Sequence, residues 1–284
     1  MPAPSGSNPL CIMQGRLSPP DPRRLQAFPW ATWEEEFARA RLCGLDGIEW
    51  LFEADRYREN PIWTGAGCRR IRELSAAHGI GVMSVCADFF MAHPFFRVTR
   101  DQVAASVGVL GRLIERAASV GVRTILLPVL EDAAITKPEE AGEFVQAVSR
   151  CLPAARAHDI RLGLETELPR EEYVALVRRW SDGCVGVYYD TGNAAAKGYD
   201  GADDIATLGP VLCGVHLKDR ARGGGSVRLG EGLVAFDRCF AALRDSGYGG
   251  PLVLQTAFGA EYLDDARRSI AFVRRHLERV GAPA

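Results

Sequence analysis

Short strand-like runs alternate with amphipathic helical stretches from one end of this chain to the other, and eight such pairs can be counted. The runs are Leu10–Gln14, Gly47–Leu51, Gly81–Ala87, Thr124–Val129, Arg161–Thr166, Val185–Asp190, Val211–Leu217 and Leu252–Thr256, each rich in aliphatic or β-branched side chains. Between them, apolar residues recur at three- and four-residue steps over 32–42, 67–78, 102–120, 138–158, 171–180 and 264–280, as a one-sided helix requires. Gly44, Gly79 and Gly121 each fall between a helix and a strand, where a left-handed cap is cheapest without a Cβ. Thr32 with Glu35 has the spacing of an N-terminal capping box. Parallel strands need crossovers of this length, and eight βα units in 284 residues predict an α/β fold of the (β/α)8 TIM-barrel class. A doubly wound open sheet is the competing architecture, weakened because no G-x-G-x-x-G or G-x-x-x-x-G-K-[ST] follows the first strand.

Composition agrees with one sizeable globular domain over 1–284, with 1–8 (MPAPSGSN) as a flexible N-terminal segment; 47% hydrophobic and 25% charged residues are ordinary values. A formal charge of −2 with both signs interspersed gives no electrostatic footprint for nucleic acid or an acidic membrane surface. The start lacks the basic residues and apolar core of a signal peptide, and no apolar run approaches a membrane span. The eight cysteines contain no C-x-x-C pair and mostly fall within apolar patterns, so they are expected as reduced, structural thiols in a cytoplasmic protein. Association into a homo-oligomer is compatible with the chain, although no interface is identifiable in it.

Four polar residues stand at the carboxyl ends of apolar runs in the second half: Glu165, Asp190, His216 and Gln255. Their separations of 25, 26 and 39 residues each accommodate a strand, a loop and a return helix, so all four are expected at one end of a barrel. Two carboxylates, an imidazole and an amide oxygen suit one hard or borderline divalent cation, Mn2+, Mg2+, Co2+ or Zn2+. Taken singly, Asp190 before Thr-Gly-Asn fits a turn cap equally well, and His216 fits a hydrogen-bonded strand-end residue.

The segments GLDGIEW (44–50), GLETE (163–167), YYDTGNAAAKGYD (188–200), VHLKD (215–219) and LGEG (229–232), in this order and spacing, resemble the xylose-isomerase-like TIM-barrel superfamily of sugar and sugar-phosphate isomerases and epimerases. YYDTGN with its KGYD extension is most similar to the L-ribulose-5-phosphate 3-epimerase-like branch. The resemblance implies metal ligation by Glu165, Asp190 and His216, with Gln255 where a second glutamate is expected. An amide oxygen still ligates a cation but cannot act as acid or base. It also implies a base at Glu165 that removes a proton next to a carbonyl through a metal-stabilised enediolate. The substrate is then a small sugar or sugar phosphate. Its contacts are expected from Asn193, Lys218, Arg222, Glu49 and His93, and epimerisation needs a second proton donor, for which Asp88, Glu131, Glu167 and Glu171 are candidates. His78, His158 and His276 lie in helical stretches and are expected at the surface. Alternatives are a dehydratase of a keto-inositol or keto-sugar, which begins with the same enolisation, and a non-catalytic carbohydrate-binding relative. The apurinic endonuclease branch of the superfamily fits poorly, because it uses a histidine-rich multinuclear site and a basic face, and this chain has five histidines and no basic excess.

Overall fold

The computed structural model describes residues 8–281 apart from 22, 23 and 25. Eight parallel strands close into a barrel: β1 (Leu10–Met13), β2 (Gly47–Leu51), β3 (Gly81–Cys86), β4 (Thr124–Val129), β5 (Arg161–Thr166), β6 (Val185–Asp190), β7 (Leu212–Leu217) and β10 (Leu252–Leu254). The order round the barrel is β1, β10, β7, β6, β5, β4, β3, β2. A two-stranded antiparallel hairpin, β8 (Asp219–Arg220) with β9 (Ser226–Val227), follows β7. This is the TIM-barrel fold, a barrel of parallel strands with flanking helices, which the strand and helix alternation predicts. Helices cover the outer faces of such strands and side chains fill the interior, so β1, β2, β4, β6, β7 and β10 are buried at every position.

By contact density the chain falls into two compact units, residues 49–187 and residues 1–48 with 188–284. In the first unit, β4 lies between β3 and β5, with Leu126 opposite both Cys86 and Gly163 and with Pro128 opposite Glu165. In the second, β10 lies between β1 and β7, with Val253 opposite both Cys11 and His216. Asn8, assigned from sequence to a flexible N-terminal segment, donates from its side chain to the carbonyls of Tyr248 and Gly250 at 2.8 and 2.9 Å. Residues 1–7 of that segment lie outside the described residues.

Several local expectations change. The helical stretch over 138–158 is two helices, Pro138–Ser149 and Leu152–Ala157, because Pro153 has no N–H to donate and is tolerated only in a first turn. The capping box at Thr32 does not form: the helix starts at Glu35, and the Thr32 hydroxyl donates to Ser18 instead. His276 is buried, its ring 5.2 Å from that of Phe240 and 4.3 Å from that of Phe272, whereas His158 is exposed and His78 half-buried. Gly44 and Gly79 do end their helices at φ of 74° and 65°. All eight cysteines are free thiols, six of them buried.

Candidate metal centre and active site

β6 ends on Asp190, which is also the N-cap of the short helix Thr191–Ala196. Its Oδ1 accepts from the Asn193 backbone N–H at 2.7 Å, which is the turn-capping role available to any Asp-Thr-Gly-Asn. Its Oδ2 is buried and has no hydrogen-bond partner. Two groups of positive or potentially positive character stand near that oxygen, His216 Nδ1 at 3.8 Å and Lys218 Nζ at 3.7 Å. Capping therefore accounts for only half of this carboxylate.

β7 carries His216 and leads directly into Lys218. The imidazole is fully buried against Tyr188, ring centroids 4.8 Å apart in an edge-on arrangement. Tyr188 can lie there because residue 214 is glycine: a Cβ at Gly214 would stand 2.1 Å from the Tyr188 ring. Thr191 joins the ends of β6 and β7, accepting from the Lys218 N–H at 3.0 Å and donating to the Lys218 carbonyl at 2.7 Å. Glu165, near the end of β5, is also buried. Ligand atoms of Glu165, Asp190 and His216 all lie within 4.8 Å of one another, so the three residues could hold a single metal ion. The donor set fits a divalent cation on two grounds. It combines two carboxylates with an imidazole, and one of its buried carboxylate oxygens lacks a hydrogen-bond donor.

Gln255 follows β10 by one residue. Its Oε1 accepts from Lys218 Nζ at 3.3 Å, and its Nε2 donates to Gln26 Oε1 at 3.2 Å. Gln26 Oε1 also accepts from Arg16 at 3.4 Å. Arg16 is buried, donating through Nε to the Thr256 carbonyl at 3.0 Å with its guanidinium 4.5 Å over the Phe258 ring. A connected row therefore runs from Arg16 through Gln26, Gln255 and Lys218 to Asp190.

The predicted substrate contacts separate into two groups. Asn193 and Lys218 adjoin Asp190, and Asn193 Oδ1 accepts from Arg220 at 3.4 Å. Arg222 is exposed in the turn of the β8–β9 hairpin, and Arg220 of the same 218–232 loop is the arginine directed to Asn193. Glu49 is fully buried and accepts from the Ser84 hydroxyl at 2.7 Å. His93 is exposed, its ring stacked 4.4 Å from Phe89. Of the candidates for a second proton donor, Glu171 is exposed and ion-paired to Arg170 at 3.0 Å, while Asp88 accepts from the Cys86 thiol at 3.0 Å. Burial pushes that thiol well above its ordinary pKa, and the carboxylates of Asp88, Glu49 and Glu165 raise it further, so it is held as the neutral, unreactive thiol.

Sequence reasoning missed the organiser of the loop after β7. Asp219 is fully buried, accepting at Oδ2 from the N–H groups of Gly230 and Gly232, both at 2.9 Å, and at Oδ1 from Val234 at 3.1 Å and Arg220 at 3.0 Å. The signal available was an aspartate at a strand end followed by a glycine-rich loop, the setting in which a carboxylate gathers backbone donors.

Comparison with known proteins agrees with this architecture. The sequence model of the xylose isomerase-like TIM barrel family matches residues 37–276. The L-ribulose-5-phosphate 3-epimerase UlaE of Salmonella typhi is 25% identical over 232 residues, which cover 78% of this chain and 81% of that protein. Among solved structures, an L-ribulose 3-epimerase superposes with a TM-score of 0.77 at 17% identity, covering 96% of this chain and 95% of the other. A xylose isomerase domain protein from Planctomyces limnophilus gives 0.75 at 16% identity, over 97% and 99% of the two chains. At these identities the structural likeness is one of fold. The extent of the sequence match decides the family: this chain belongs to the xylose isomerase-like TIM barrel family.

Proposed function

We propose that the protein is a divalent-metal-dependent isomerase or epimerase of a sugar or sugar phosphate, with residues 1–284 acting as one catalytic domain in the cytoplasm. The observation that carries this reading is the convergence of Glu165, Asp190 and His216 within 4.8 Å, with Asp190 Oδ2 buried and unsatisfied. Names among the relatives favour a ketose phosphate as substrate and carbon 3 as the reacting centre. Glu165, Asp190 and His216 would hold the cation, which would supply positive charge beside the oxygen on which charge develops as the proton leaves, in a buried setting where such charge acts strongly.

The chain's own residues do the remaining work. Glu165 removes the proton from the carbon beside the carbonyl. His216 is kept in place by Tyr188, and Asp190 by its cap to Asn193. Asn193, paired with Arg220, and Lys218 meet the substrate's hydroxyl or phosphate oxygens, for which a planar guanidinium and an ammonium are suitable donors. The Gln255 amide cannot act as a general acid or base, so epimerisation takes its second proton from another group.

The test is solvent-deuterium incorporation, followed by mass spectrometry and NMR over ketoses and ketose phosphates in the presence of Mn2+. Exchange at the carbon next to the carbonyl, with isomerised or epimerised product, is expected. Absence of exchange across that panel, with the protein folded and the metal bound, contradicts the assignment.

A further inference from the structure

Lys218 brings a positive charge to the same carboxylate that the candidate metal centre uses. Its side chain is only 14% exposed, and its Nζ lies 3.7 Å from Asp190 Oδ2 and 3.3 Å from Gln255 Oε1. The position is built from several directions. Thr191 accepts from the Lys218 N–H and donates to its carbonyl. Gly192 leaves room for the stem, since a Cβ there would stand 2.9 Å from Lys218 Cγ. Gln26 accepts from Gln255 Nε2, which turns the Gln255 oxygen toward the ammonium. Gln255 is neutral, so its hydrogen bond orients Lys218 without cancelling the charge.

Resting on the metal-centre reading above, we propose that Lys218 is a built-in counter-cation that sets the metal affinity of Glu165, Asp190 and His216. Without a metal, the ammonium offsets the charge of the buried Asp190 carboxylate, whose Oδ2 accepts no hydrogen bond. With a divalent cation bound at Asp190 Oδ2, two positive centres share one oxygen. Metal–oxygen bonds run to about 2.0–2.6 Å, so the cation then stands within roughly 6 Å of the present Nζ position, close enough for repulsion that buried surroundings screen poorly. Metal uptake therefore has to displace or tolerate Lys218, and the centre holds its cation more weakly than its ligands alone dictate.

The experiment is calorimetric titration of Mn2+ into the metal-stripped full chain as wild type, Lys218→Met, Lys218→Gln, Lys218→Arg and Asp190→Asn, each checked by circular dichroism. Having two neutral variants guards against one that fails to fold. The neutral variants are expected to bind Mn2+ roughly 10–100-fold more tightly than wild type, and the arginine variant to stay within about threefold of it. Their metal-free forms should melt below wild type and gain more on Mn2+ addition. Wild-type affinity in the folded neutral variants, with binding lost in Asp190→Asn, overturns the role of Lys218 and leaves the metal centre standing. No Mn2+ binding in wild type or in the neutral variants overturns both.

Discussion

Gly192 and Lys218 touch so closely that any larger residue at 192 forces a shift: an added Cβ would lie 2.9 Å from Lys218 Cγ and 3.0 Å from its carbonyl oxygen. The turn carrying Asp190 and the strand end carrying His216 are thereby brought together at the backbone, with Thr191 hydrogen-bonded across the same junction. Gly192→Ala should push these segments apart while leaving the barrel intact, because the clash is with the Lys218 backbone as well as with its flexible stem. A destabilisation of about 1–3 kcal/mol is expected, as for other overpacked sites, with turnover and Mn2+ affinity both reduced. Wild-type turnover and Mn2+ affinity in Gly192→Ala would show that the junction tolerates more space than its geometry indicates.

The loop that brings Arg220 to Asn193 depends on Asp219. Four backbone N–H groups converge on this buried carboxylate, two on each oxygen. Asp219→Asn replaces one acceptor oxygen with a donor, leaving N–H groups facing an NH2. Losing charge-assisted bonds of this kind costs about 2–4 kcal/mol. Amide hydrogen exchange should accelerate over residues 220–234 well before the rest of the chain, and unchanged protection there would contradict the assignment.

Glu36 gives the fold a pH dependence. It is buried and accepts from the N–H groups of Gly15 and Leu17 at 2.9 and 3.2 Å and from the Ser18 hydroxyl at 2.8 Å, holding the turn that contains Arg16. Burial raises its pKa from 4.5 to about 7, against the lowering effect of these hydrogen bonds and of Arg39. The folded state therefore binds this proton more tightly than the unfolded chain does. The stability it contributes is fully present below about 4.5 and is lost as pH rises through about 7. A difference of this size corresponds to on the order of 3 kcal/mol. Denaturant unfolding from pH 4.5 to 8 should show this decline, and Glu36→Gln should flatten it. The same slope in the variant would assign the pH dependence elsewhere.

The barrel was legible because its strands are buried on both faces and read as apolar runs, and Glu165, Asp190 and His216 were legible because each ends or nearly ends such a run. What lies between side chains was not. Lys218 and Gln255 are 37 residues apart, and their hydrogen bond depends on where two long side chains point, which no periodicity encodes. The choice of Arg220 over Arg222 depends on the hairpin register that places Arg220 opposite Ser226. The 138–158 stretch reads as one helix by its apolar spacing, yet Pro153 restarts it, a local backbone constraint overriding a side-chain pattern. His276 follows its helix's buried face and not the usual exposure of histidine.

The most direct test of the account separates the two tasks assigned to Glu165. In Glu165→Gln the amide oxygen keeps a metal donor while the proton acceptor is lost. Mn2+ stoichiometry by calorimetry and solvent-deuterium exchange of a ketose phosphate substrate should be measured on the same preparation. One Mn2+ per chain with exchange slowed by about 10²–10⁴-fold relative to wild type is the predicted result. Exchange at the wild-type rate in the variant would contradict Glu165 as the base and with it the proposed chemistry.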